Sequence, residues 1–143
     1  ALERLSRVTR RRGLAVVVSD WLDEDPAAPR PRWSEALRRV AVRHETLAVE
    51  VVDPRELELP DVGIIELVDP ETGRSREINT GSASLRSRYA AAATARREIL
   101  TKAFRAAGTD HLALRTDRDW LGDLVAFVAT RRERAAAFAR SGS

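Results

Sequence analysis

The chain has 143 residues, 43% of them apolar and 33% charged, with a formal net charge of +3; this is the size and mixture of one folded domain with a hydrophobic core, not of a disordered segment. It contains no Cys and no Met and only two histidines, His44 and His111, which excludes disulfides, thiolate chemistry, cysteine-based zinc sites and a histidine-rich metal centre. No apolar run approaches the roughly 20 residues that cross a bilayer, and the charged start ALERLSRVTRRR lacks the apolar core of a signal peptide, so the expected location is the cytoplasm.

GLAVVVS (residues 13–19) is a continuous valine-rich run, the pattern of a strand covered on both faces. Pro26, Pro29 and Pro31 then keep an acidic loop irregular. Trp33, Ala36, Leu37, Val40 and Ala41 recur at helical spacing, which predicts an amphipathic helix over 33–44, and TLAVEVV (46–52) is the second strand. The helix between them is long enough for a crossover, so the two strands are expected to be parallel. Asp53, Pro54 and Glu56 have the chemistry of a short helical start, ended by Pro60 and Gly63.

IIELV (64–68) and RSREIN (74–79) flank DPETG, where Pro70 presets a turn and Gly73 tolerates positive φ, so they predict an inserted β-hairpin. A long helix is expected over 84–107, capped by Gly108, followed by the strand HLALR (111–115). The last helix, 118–137, should face Leu121, Leu124, Val125 and Val128 inward. The sum is an α/β fold, a single domain over residues 1–143 with an open, mainly parallel sheet, Rossmann-like in layering, flanked by helices on both faces.

In such sheets ligands collect at the carboxyl ends of the strands, and Asp20, Asp53, Asp117 and Asp119 all fall there. Asp20 follows the first strand directly, and a carboxylate at that mouth suits either Mg²⁺, a hard cation that keeps several waters, or hydrogen bonds to loop amides. Asp53 is explained as an N-cap, and Thr116 with Asp119 has the spacing of a capping box, with Asp117 also able to cap. Ser19 lacks a hydrolase's glycine-flanked elbow, and GxxxxGK[ST] does not occur. All but one of the 25 basic residues are Arg, the exception being Lys102, with clusters at Arg7 to Arg12 and Arg131 to Arg140. Trp21, Trp33 and Trp120 read as core or rim anchors.

VVVSDWLD, VRHETLAVEVVDPRELELPDVG, LVDPETG, LRSRYAAA and HLALRTDRDWL together resemble the carboxyl-terminal half of the bacterial family known as domain of unknown function 58. The resemblance implies half of a von Willebrand factor A-like domain, the absence of Met at position 1 fitting a piece of a longer protein, and a non-enzymatic role as partner or adaptor of a MoxR-type AAA+ ATPase. It also implies that Ser19 and Asp20 match the last element of a metal-ion-dependent adhesion site, so Asp20 would be one Mg²⁺ ligand of the intact protein. The D-x-S-x-S element is not in these residues and GSASLRS at Gly81 reads as a helix entry, so tight metal binding to this chain alone is not expected.

With the preceding strands of such a sheet missing, strand 13–19 would become an edge, which predicts self-association or cover by a helix formed from residues 1–12. Two other readings remain open at this point. One is a metal-dependent phosphodiesterase or nuclease using Asp20, Asp117 and Asp119; the other is nucleic-acid binding through the Arg-rich ends.

Overall fold

A computed structural model describes residues 11–22, 30–68 and 72–141, together with Leu2 and Arg4. The elements are β1 (Leu14–Ser19), α1 (Ser34–Ala41), β2 (Glu45–Val52), a 3-10 turn (Pro54–Glu56), β3 (Ile64–Val68), β4 (Ser75–Asn79), α2 (Ala83–Ala107), β5 (Asp110–Arg115) and α3 (Trp120–Ser141). The chain divides into two compact units: residues 1–52 with 99–143, and residues 53–98. The fold is mixed α/β, with the expected parallel sheet, flanking helices and separate hairpin.

In the first unit the sheet order is β1-β2-β5, both pairings parallel. Side chains alternate across a strand, so the registers Val17 to Ala48 and Ala48 to His111 put these residues on one face. Here lies the core, where Trp21, Leu37, Ala48, Leu100, Phe104 and Ala107 pack together with Leu2, Val17 and Trp33 against them. Leu37 and Val40 are the buried stripe of α1, while Glu35, Arg38 and Arg39 pair on its outer side. Gly108 (φ 69°) ends α2: its N–H donates to Arg105 O and that of Thr109 to Phe104 O, a closure that favours glycine.

The opposite sheet face carries Leu14, Val16 and Val18 beside Leu47, Val49 and Val51, with α3 alongside. Two sequence expectations are corrected here. The first strand is covered on one face only, since Leu14, Val16 and Val18 are 55%, 49% and 63% exposed. The last helix does not bury the inward stripe expected of it: Leu121, Val125 and Val128 are exposed and only Leu124 among the four is half-buried. Apolar spacing tells which residues a helix offers for burial, and it does not supply the neighbour that buries them.

The second unit holds β3 and β4, paired antiparallel from Ile64 opposite Asn79 to Val68 opposite Ser75. Its centre is polar: the buried Thr80 donates through Oγ1 to Gly63 O at 2.7 Å and accepts from Val62 N, and Arg86 donates to Thr80 O while pairing with Asp61 at 3.0 Å. Gly73 takes the positive φ expected of the turn, whereas the part of DPETG at 69–71 lies outside the described residues. Most of the helix expected over residues 1–12 lies outside them too; Leu2 and Arg4 are helical. Among the described residues, no helix is long and apolar enough to cross a membrane.

Candidate functional site

The loop after β1 is built by its own side chains. Ser19 Oγ accepts from Trp21 N at 3.1 Å, and Asp20 Oδ1 accepts from Leu22 N at 3.1 Å and from Ser19 Oγ at 3.3 Å. These bonds hold a tight turn in which Trp21 takes φ 55°, a left-handed conformation that costs a non-glycine residue about 1–2 kcal/mol. The turn throws the Trp21 indole back into the core, where Nε1–H donates to Val49 O at 3.0 Å and the ring meets Trp33 and Phe104 edge-on. Asp20 is therefore a hydrogen-bond acceptor for loop amides, one of the two roles its position allows.

A Mg²⁺ centre takes one or two carboxylates in an octahedral shell completed by waters or other oxygens. Asp20 and Ser19 bring one carboxylate and one hydroxyl, both engaged in the turn, and among the described residues no group of three or more His, Asp or Glu side chains is placed to hold a metal. Among the described residues, those present do not by themselves fit the cation, and its remaining ligands would have to come from outside them.

The other strand-end acids have local partners. Asp117 makes a two-pronged contact with Arg115, at 2.9 Å to both Nε and Nη2, and that guanidinium holds its carboxyl below the ordinary value of 3.8. Asp119 Oδ1 accepts from Gly122 N at 3.0 Å and so caps α3 itself, in place of the expected Thr116. The reason is the helix start: α3 begins at Trp120, which makes Asp119 the flanking residue. Asp53 accepts from Arg55 N at 2.9 Å, as an N-cap should. Of the carboxyl-terminal Arg cluster, Arg131 is drawn into the fold by Asp110 and Glu45, at 2.8 and 3.3 Å.

Sequence reasoning missed Glu50 and His111. Glu50 interrupts the apolar run of β2 and is buried, and its Oε2 lies 2.8 Å from His111 Nε2 on β5. The imidazole stacks on Phe104 with centroids 4.4 Å apart. An acid inside TLAVEVV was the available signal; its partner is 61 residues away, visible only once β2 and β5 are in register.

The first unit carries an apolar groove on the outer sheet face, about 810 Å³, between Leu14, Val16 and Val18 at one side and Trp120, Leu124 and Val128 at the other. Its floor is Leu47, Val49, Val51 and Leu114. Scattered exposed apolar residues are ordinary on a protein surface; here Leu14, Val16, Val18, Trp120 and Val128, all exposed, gather around one groove.

A family model described as Protein of unknown function DUF58 matches residues 1–99. An uncharacterized protein of Mycobacterium avium is 47% identical over 137 residues, which cover 96% of this chain and 77% of that protein. Uncharacterized proteins of Mycobacterium tuberculosis and Mycobacterium bovis are each 48% identical over 137 residues, again 96% of this chain but 41% of their own length. The chain thus spans about two fifths of those two relatives. No solved structure gives a significant match.

Proposed function

The chain belongs to the DUF58 family, and from that premise we propose that it is a protein–protein interaction module without enzymatic activity of its own. The observation that carries this reading is the apolar groove: Leu14, Val16, Val18, Trp120 and Val128 are all substantially exposed around one concavity. Burying such a surface against a partner removes apolar area from water at about 25 cal/mol per Å². In this reading the module is the carboxyl-terminal half of a von Willebrand factor A-like domain and its partner is a MoxR-type AAA+ ATPase, which the resemblance of its sequence phrases to the family supports. The Asp20 turn lies at the carboxyl end of the sheet, where α/β folds meet their ligands. A Mg²⁺ there would depend on ligands from beyond the described residues. No observation favours the phosphodiesterase or nucleic-acid readings.

The test is binding of this chain to an immobilised MoxR-type AAA+ ATPase, with Val128→Glu and Asp20→Asn as variants. Val128→Glu places a charge in the groove and should weaken binding by about tenfold or more, roughly 1.4 kcal/mol, with thermal stability little changed because Val128 is 45% exposed. Binding to the ATPase that is indifferent to Val128→Glu would remove the groove from the proposal. No binding at all would remove the partner.

A further inference from the structure

The hairpin of the second unit departs from the usual pattern of strands covered on one face. β3 and β4 form a two-stranded sheet of their own, separate from β1-β2-β5. Ile65 and Ile78, paired across it, are half-buried, and the pairs Ile64 with Asn79, Glu66 with Glu77 and Val68 with Ser75 make up the opposite, outward side. On such a side an antiparallel sheet ordinarily carries polar residues. β4 complies with Ser75, Glu77 and Asn79, but β3 presents Ile64 at 68% exposure and Val68 at 61%. Between these two, Glu66 stands directly opposite Glu77, and like charges in that position destabilise a sheet. Both side chains are exposed, and among the described residues neither carboxylate has a hydrogen-bond or ion-pair partner. A two-stranded hairpin has little stability to give away. Local sheet rules are nevertheless broken repeatedly on one small face, and proteins break them chiefly at functional or strained sites.

We infer that the outward face of the hairpin is a docking surface for a basic segment of a partner protein, an Arg or Lys flanked by apolar residues. One cation set over Glu66 and Glu77 replaces their repulsion by two attractions, and a guanidinium has donors enough to serve both carboxylates. Along β3, Ile64, Glu66 and Val68 recur about 6.7 Å apart, the spacing of alternate side chains in any extended chain. A segment of the form apolar-x-Arg-x-apolar, laid along the strand, therefore matches them one for one.

The same charges argue against other occupants. A second copy of this face would bring the Glu66 and Glu77 carboxylates of both chains together, and nucleic acid or an anionic membrane would set phosphates against the pair. Neither the apolar groove of the first unit nor an ATPase partner enters into this assignment.

The test is an NMR titration of the nitrogen-15-labelled chain with the peptide acetyl-Val-Thr-Arg-Thr-Val-amide. Amides of β3 and β4 should shift, and saturate, at millimolar peptide. Peptides with Glu in place of Arg, or with Gly in place of both Val, should leave those amides unmoved. Glu66→Arg should weaken binding at least about tenfold. The same variant sets opposite charges across the strands, so it should slow hydrogen exchange of the hairpin amides by about threefold or more. Glu77→Arg should do both from the other strand, whereas Glu133→Arg, an equal change of net charge on α3, should do neither. A gain in hairpin stability that accompanies loss of binding separates docking from a structural role, since damage to the fold would lower both. No shift at millimolar peptide, or an equal response to the Glu or Gly peptides, would overturn the inference. So would a Glu66→Arg chain that binds as before, or one whose hairpin exchanges no more slowly.

Discussion

At Trp21 the backbone adopts a conformation that disfavours side chains, and the indole repays it by filling the centre of the core. The turn depends on two acceptors, Ser19 Oγ and Asp20 Oδ1, each taking a backbone N–H that would otherwise lack a partner in the turn. This separates a structural from a charge-dependent role of Asp20. Asp20→Ala removes the acceptor and should lower unfolding stability by about 1 kcal/mol, read as a fall in the urea midpoint. Asp20→Asn keeps an oxygen in the same place and should lose about half of that or less. If the two substitutions destabilise equally, the charge matters to the fold and the turn account is wrong. The Asn variant is also the proper control for partner binding, since it removes charge while retaining the loop.

Elements begin and end here where short-range chemistry tells them to. Asp119 caps α3 through Gly122 N, and a Cβ on Gly122 would stand 2.7 Å from Asp119 Oδ2. Gly122→Ala therefore combines two opposed effects: a gain of about 1 kcal/mol in helix propensity and displacement of a cap carboxylate worth a similar amount. Alone it should be close to neutral in thermal unfolding. Asp119→Ala should cost about 1 kcal/mol, and in that background Gly122→Ala should become clearly stabilising, because the clash has gone. A stabilisation that is equal in both backgrounds would show that the carboxylate moves aside without loss. The same local grammar explains why Asp53 with Pro54 and Gly108 were readable from sequence: each acts within four residues of itself.

For the molecule as a whole, what was legible follows the range of the interaction. Strand and helix positions, the parallel order and the hairpin came from periodicity and turn residues. The Glu50 to His111 pair did not, because it exists only after β2 and β5 align, and neither did the open face of β1 and α3, because apolar spacing is silent about a missing neighbour. Burial is also divided unevenly. Every buried apolar side chain among the described residues lies in the first unit, from Trp21 to Val52 and from Leu100 to Ala107. In residues 53–98 the one buried side chain among those described is Thr80, held by hydrogen bonds that each contribute only about 1 kcal/mol net. Local stability follows buried apolar contact, so the two units should open at different free energies. Native-state hydrogen exchange should find amides of β3, β4 and the first part of α2 exchanging at least about a hundredfold faster than those of β2 and β5, a difference near 3 kcal/mol. Within the continuous helix α2, protection should rise between Glu98 and Leu100, where the core begins. Uniform protection along α2 and across the hairpin would instead mean that the chain opens as one cooperative body, with the polar contacts around Thr80 as strong as the apolar core.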